Sequence, residues 1–218
     1  MLVSPLAQPL RILVYLAFGL PLLAVILHTV LRIVRYFHKF PMPQFMADAV
    51  DNPLRRRLQP PDDTPARHGI QPGMRVLEVG PGNGTYTLAT ARRVGESGRV
   101  TTIDIEPKMI ERVERRAREE GIQNIEARVA DVYELPFEDR SFDAVYMIAV
   151  IGEIPEPERA LKEFHRVLSL RGTLAFSELL SDPDYPRAST LSRLAASAGF
   201  SLKKKVGNFF YYTLVLQK

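Results

Sequence analysis

Val76-Leu77-Glu78-Val79-Gly80-Pro81-Gly82-Asn83-Gly84-Thr85 is the stretch whose reading decides the fold. Its apolar beginning reads as a buried strand, its glycines as a turn, and the residues from Thr85 onward as a helix. Glycines at the mouth of such a turn let the backbone approach a ligand closely, and the following helix presents its N-terminus to that ligand.

Downstream of this stretch, short apolar runs alternate with amphipathic ones. RVTTID (99–104) follows TLATARRV (87–94), and a charged helix around KMIERVERRAREE (108–120) leads to IEARVAD (125–131). FDAVYMIAV (142–150) reads as a buried strand, ERALKEFHRVL (158–168) as a helix opened by Pro157, and GTLAFSELL (172–180) as the next strand. STLSRLAASAGF (189–200) reads as a helix ended by Gly199. Alternation of this kind predicts an α/β fold, a doubly wound and mostly parallel seven-stranded sheet covered by helices. SLKKKV (201–206) and FFYYTLVLQ (209–217) are separated only by Gly207-Asn208, too short a link for a parallel crossover, so they form a C-terminal antiparallel hairpin.

The glycine loop does not carry a dinucleotide fingerprint. Read from Gly80, the third glycine position of G-x-G-x-x-G falls on Thr85; read from Gly82, it falls on Thr87. Glu78 places a negative charge beside the loop, which repels a pyrophosphate and welcomes an ammonium group. Asp104 ends the second strand, where an acid can take both hydroxyls of a ribose, and Asp131 ends the third in the same way. One aspartate at a strand end is commonly a turn former. Three acids and a G-x-G-x-G loop in this order are far less common by chance.

At these residues the chain resembles the class I S-adenosylmethionine-dependent methyltransferases, in the manner of methyltransferase type 11 and the ubiquinone-menaquinone methyltransferases, from about Gln71 to Lys218. The resemblance implies a Rossmann-like methyltransferase fold with S-adenosyl-L-methionine as cofactor. It also implies that Glu78 and the loop Gly80, Pro81, Gly82, Asn83 and Gly84 hold the methionine part. Asp104 would then hold the ribose, Ile105 cover one face of the adenine, and Asp131 take the adenine amino group with Val132 beside it. Ser169-Leu170-Arg171-Gly172 stands where the family usually has Lys-Pro-Gly-Gly, so this turn departs from the pattern. Met147-Ile148-Ala149-Val150 replaces the Asn-Pro-Pro-Tyr type of motif, so the likeness does not extend to amino-group methyltransferases of DNA bases, and no nucleic-acid partner is expected.

Upstream, ILVYLAFGLPLLAVILHTVL lies between Arg11 and Arg32, uncharged throughout and long enough to span a hydrocarbon core of roughly 30 Å. It reads as a transmembrane helix kinked near Pro21; a signal peptide and an apolar hairpin folded on the domain are the competing readings. Arg32, Arg35 and Lys39 follow it while only Arg11 precedes it, which predicts a single-pass membrane protein whose catalytic domain faces the cytoplasm. The expected division is 1–39 for the membrane helix and juxtamembrane segment, 40–72 for a proline-rich neck or substrate lid, and 73–218 for the catalytic domain. In the neck, Phe40, Met42, Phe45 and Met46 offer apolar surface, only 45–58 has room for a helix, and Pro53 interrupts it. Arg55, Arg56 and Arg57 read first as a solvated or headgroup-facing charge run and second as a substrate clamp.

The 218 residues are 46% hydrophobic and 25% charged, a folded composition with a formal net charge of +4. Without cysteine there is no disulfide, thiolate metal site or cysteine nucleophile, which disfavours cytosine C5 and arsenite methylation, and no metal site is expected. Methyl transfer from a sulfonium needs alignment and exclusion of water more than a dedicated base. For a phenol, thiol or acidic carbon, Glu153 and His68 are the candidates for proton removal, each with a plain structural alternative. Tyr185, Tyr211 and Tyr212 are candidates for the substrate side, and His165 reads as a packing residue. Three readings stand: a membrane-anchored methyltransferase acting on a small apolar or lipid-like acceptor within reach of the bilayer, a nucleotide-dependent oxidoreductase, and a non-catalytic S-adenosylmethionine-binding membrane protein.

Overall fold

The structure, a computed structural model of the 218-residue chain, describes residues 12, 13, 15–40 and 47–218. Met42, Phe45 and Met46, expected to give the neck apolar surface, lie outside the described residues. The chain divides into two compact units, Met1–Lys39 and Phe40–Lys218.

In the first unit a π-helical turn, Tyr15–Gly19, runs into helix α1, Leu20–Phe37. Pro21 sits in the first turn of α1, where its missing N–H is no loss, and the irregularity expected there falls in the π-helical turn just before it. Together they make 23 residues, about 34 Å at the helical rise, with an 18-residue stretch of mean hydropathy 2.0, long and apolar enough to cross a membrane. Phe18, Leu22, Val25 and Leu27 stand exposed along it.

The second unit begins with three short helices, α2 (Ala47–Val50), α3 (Pro53–Leu58) and α4 (Thr64–Arg67). Pro53 does not merely interrupt the neck: it opens α3, whose first turn is capped by Asn52 Oδ1 accepting from the Arg55 amide at 3.1 Å. Then follow β1 (Arg75–Val79), α5 (Thr85–Val94), β2 (Arg99–Asp104), α6 (Pro107–Glu119), β3 (Ile125–Val129) and β4 (Phe142–Ile148). The chain ends with α7 (Pro157–Val167), β5 (Leu168–Leu179), α8 (Ala188–Ser197), β6 (Ser201–Gly207) and β7 (Tyr211–Gln217).

The seven strands form one sheet in the order β3-β2-β1-β4-β5-β7-β6, parallel except for β7, which runs against both β5 and β6. The doubly wound sheet and the C-terminal hairpin are as the alternation predicts. Successive residues alternate between two cores. Leu77, Val79, Val145, Met147, Leu174 and Phe176 meet Leu161 and Phe164 of α7 and Leu191 of α8. Val76, Val100, Ala144 and Ala175 meet Ala91 and Val94 of α5 and Ile70. Each fully buried side chain of this size contributes about 1.5–3 kcal/mol, so these faces hold the sheet together.

Toward the carboxyl ends of the strands the second face turns polar, with Glu78, Thr102, Ser177 and Thr213 buried there beside Thr87 and Thr90 of α5. Two details differ from the expected pattern. Ser169-Leu170-Arg171-Gly172 is not a separate turn: β5 already starts at Leu168, paired with Phe142, and the next rung joins Ala144 to Thr173, so the intervening residues bulge out of the ladder. Phe209 and Phe210 lie in the turn between β6 and β7 rather than in the last strand.

Gly207 closes β6 with φ of +96°, and a Cβ there would run into the Tyr211 carbonyl oxygen. Gly207→Val is therefore expected to destabilise the protein by on the order of 2 kcal/mol or more, read as a lower midpoint in urea.

Candidate functional site

The order of the strands reverses between β1 and β4: β2 and β3 lie to one side of β1, β4 and β5 to the other. Loops leaving β1 and β4 therefore diverge, and a crevice opens at the carboxyl edge. A cavity of about 300 Å³ fills it. Glu78, Gly80, Pro81, Gly82, Asn83, Asp104, Ile105, Asp131 and Val132 all line this cavity. Gly84 does not. With φ of +84° it turns the chain into α5, and its missing side chain leaves room for Val113 of α6. Gly80, with φ of +71°, faces Val150, whose Cγ2 would lie 2.5 Å from an added Cβ.

Glu78 is 2% exposed, with Thr87, Tyr146 and Thr102 around its carboxyl and Oε2 without a hydrogen-bond partner among the described residues. Burial pushes its pKa up to about 7, against the lowering effect of those hydroxyls. The Tyr146 hydroxyl in turn accepts from Thr90 Oγ1 at 2.9 Å. Asp104 is raised to about 6, again chiefly by burial. Asp104 Oδ1 accepts from the Glu106 amide and Asp131 Oδ1 from the Tyr133 amide, both at 2.9 Å, so each acid forms a turn as well as facing the cavity.

The neck supplies part of the wall, through two residues that the sequence reading did not name for it, Val50 and Asp51, and through Arg55 of the arginine run. Asp51 accepts from Asn83 Nδ2 at 2.8 Å, from Thr85 Oγ1 at 2.7 Å and from both nitrogens of an Arg56 fork. Its burial is outweighed by those bonds, which hold the carboxyl well below the usual carboxylate range. Arg116 Nη1 donates to the Asn83 carbonyl at 2.7 Å, and Arg112 pairs with Asp48. The α2–α3 segment is thus bonded directly onto the glycine loop and α6.

Arg55 corrects the reading of the arginine run as a solvated face. It is 7% exposed, lines the cavity, and keeps Nε without a partner among the described residues; Arg57 stays exposed. Its setting includes Tyr86, whose hydroxyl donates to the Gln59 carbonyl at 2.8 Å, and the wholly buried Glu178.

Of the two candidate bases only Glu153 lines the cavity. His68 is buried on the polar face of the sheet, its Nε2 2.7 Å from Ser177 Oγ, which lies 2.8 Å from Thr213 Oγ1. Burial holds its pKa down at about 3, so it is a neutral structural residue. Tyr185 and Tyr212 pack into the core beside α8, and Tyr211 opens β7; none of the three reaches the cavity. His165 packs edge-on against Phe200 at 5.3 Å, as read. Tyr86 and Tyr133 line the cavity instead. Tyr86, in the first turn of the helix that leaves the loop, was legible by position; Tyr133, tied to the opposite rim by the Glu156 amide donating to its hydroxyl at 2.9 Å, was not.

The family described as methyltransferase domain matches residues 77–176. A crystal structure of an S-adenosylmethionine-dependent methyltransferase from Aquifex aeolicus superimposes with a TM-score of 0.76 over 81% of this chain and 99% of that one, at 22% identity. The matched segment runs from β1 into β5 and so takes in the glycine loop and the cavity, and the fold as a whole is similar to that of this S-adenosylmethionine-dependent methyltransferase. Among curated proteins it is 36% identical over 118 residues to the demethylmenaquinone methyltransferase of Staphylococcus aureus, covering 54% of this chain and 48% of that protein. It is 31% identical over 140 residues to the ubiquinone/menaquinone biosynthesis C-methyltransferase UbiE of Idiomarina loihiensis, covering 64% of this chain and 54% of that protein. The chain spans about half the length of these relatives.

With Glu78 raised to about 7, acid neutralises the carboxyl just where a cationic ligand would need it charged. Affinity for S-adenosylmethionine should fall as pH drops below 7, by up to about tenfold per unit, and Glu78→Gln should flatten that dependence in calorimetry. Stability of the ligand-free protein has the opposite sign. The Glu78 contribution is complete below the ordinary pKa of 4.5 and is lost as pH rises through about 7, and Glu78→Gln removes it.

Proposed function

We propose that the protein is a membrane-anchored methyltransferase that moves the methyl group of S-adenosylmethionine to a small, apolar or lipid-like acceptor. The observation that carries this reading is the single cavity wall that joins the glycine loop and its acids to an apolar rim of Val50, Val150, Ile154 and Pro155. The residues present suit the cofactor. Glu78 offers a buried acceptor for its ammonium, the glycine loop leaves space where side chains would intrude, and Asp104 and Asp131 offer acceptors for the ribose hydroxyls and the adenine amino group. Ile105, 57% exposed, and Val132 supply apolar surface for the ring.

S-adenosylmethionine supplies an already activated methyl group, so the chain's own residues have to position and to exclude water. Asp51 fastens the neck over the loop, and Val50 and Arg55 complete the wall. Ala149, held at φ of +56° with its amide donating to the Ser177 carbonyl at 2.9 Å, bends the chain so that Val150 and Glu153 enter the site. In this reading Glu153, which lines the cavity, takes a proton from the acceptor where one must leave. A quinone-type ring is favoured over a phospholipid amine because the relatives named above are quinone-pathway methyltransferases and the rim is apolar. The exposed apolar helix Tyr15–Phe37 supports delivery of the site to a substrate dissolved in the bilayer, with the domain on the cytoplasmic side as the downstream basic residues favour.

The buried core lies within the second unit, so removing residues 1–39 should leave S-adenosylmethionine affinity intact. Turnover on a bilayer-embedded quinol should fall at least about tenfold, while a water-soluble analogue reacts as before. Equal rates on the bilayer substrate would end the delivery reading. Glu153→Gln should lower kcat by about a hundredfold with little change in cofactor affinity, measured by methyl transfer at fixed pH.

A further inference from the structure

The turn between β6 and β7 puts two adjacent phenylalanines in the open. Phe209 is 57% and Phe210 62% exposed, although the sequence pattern assigns both to a strand. They are not on a loose loop. Asn208 Oδ1 accepts from the Phe210 amide at 2.8 Å and from the Tyr211 amide at 3.3 Å, and the Asn208 amide donates to the Tyr211 carbonyl at 2.7 Å. Tyr185 Oη donates to the Phe209 carbonyl at 2.6 Å, and the Leu180 amide to the Phe210 carbonyl at 2.8 Å. Every backbone polar group named here is satisfied within the protein. The tip can therefore enter a poorly hydrated layer without leaving these groups unpaired. The rings stand edge to face at 5.8 Å and form one apolar knob on a rigid base.

Register fixes where the knob sits. Tyr211 pairs with Leu179 at the carboxyl end of β5, and Ser177 of that strand pairs with Ile148 of β4, which lines the cavity. The knob is therefore on the same edge of the sheet as the cavity, with β4 and β7 two strand spacings, about 10 Å, apart. The edge strand beside it, β6, carries the exposed Lys205 two residues before Gly207, whereas Lys203 and Lys204 lie further from the turn, in a pocket shared with Asp143 and Arg171. A pair of aromatic rings with one lysine close behind suits the boundary between headgroups and acyl chains, with the positive charge facing anionic lipid.

We propose that the β6–β7 turn is a second membrane contact, with Phe209 and Phe210 seated in the interface of the bilayer that the N-terminal helix enters. This rests on the membrane-anchored reading. Two contacts would restrain the domain so that the carboxyl edge, and the cavity mouth with it, stays at the surface from which an apolar acceptor must come.

The chain has no tryptophan, so Phe209→Trp and Phe210→Trp each create a single reporter at an exposed position. Leu170→Trp, 65% exposed in the bulge at the opposite edge of the sheet, is the control. Each full-length variant is reconstituted into vesicles of phosphatidylcholine and phosphatidylglycerol with or without brominated acyl chains, and flotation is recorded alongside. Emission from positions 209 and 210 should fall roughly twofold with brominated lipid while position 170 is unchanged. A chain that floats without quenching at 209 and 210 overturns the turn contact and leaves the anchor standing. Equal quenching at all three positions overturns it too, since the surface would then adsorb without preference. Emission that responds to protein concentration and not to bromine shows that a second copy covers the turn, and also overturns it. Failure to float overturns both the anchor and the turn.

Discussion

A wholly buried carboxyl at the carboxyl end of β1 organises the site. Burying a charge without a partner costs several kcal/mol, so Glu78 sits at a pKa of about 7 among Thr87, Thr102 and Tyr146, with Oε2 left without a hydrogen-bond partner among the described residues at the cavity wall. The polar half of the second sheet face exists around it. Thr90 fixes the Tyr146 hydroxyl, and the His68–Ser177–Thr213 chain continues the same layer toward β7. Below it that face is apolar, which is where stability comes from.

The neck is part of the site. A proline-rich connector would be a spacer if its helices made no bonds to what they cover. Here Asp51 is bonded to Asn83 and Thr85, the residues that end the glycine loop and begin α5, and Arg112 reaches Asp48 from α6. The same few residues that shape the loop also hold the cover over it. A displacement of α2 and α3 would be felt at the loop, and a ligand that draws on Glu78 or Asn83 would be felt by the neck.

Arg55 adds a charge that this arrangement can use. Its guanidinium lies near the buried Glu178 and lines a cavity whose other walls are largely carboxylates, glycines and aliphatic side chains. Within the proposed function it is the neck's natural partner for an anionic oxygen, while Glu153 stands on the segment leaving β4. Cation and acid thus come from two different parts of the chain, and an acceptor held between them is oriented from both sides.

The sequence by itself determined the doubly wound sheet, its terminal hairpin, the apolar N-terminal helix and nearly all of the candidate cofactor wall. Those features rest on local patterns: alternation of period two, glycines at a strand end, and acids two strands in succession. It did not determine which face a lone side chain meets. His68 and Glu153 look alike as candidate bases, yet burial against Tyr146 removes one and the left-handed turn at Ala149 presents the other. Arg55, Arg56 and Arg57 are consecutive and chemically identical, but the helix opened at Pro53 turns the first into the cavity, the second onto Asp51 and the third to solvent. Phe209 and Phe210 carry strand composition and became a turn because Gly207 and Asn208 close the hairpin and the Phe209 and Phe210 carbonyls accept long-range bonds from the Tyr185 hydroxyl and the Leu180 amide. Only tertiary structure decides such cases, because burial and hydrogen-bond partners come from segments distant in sequence that the chain's own local periodicity does not encode.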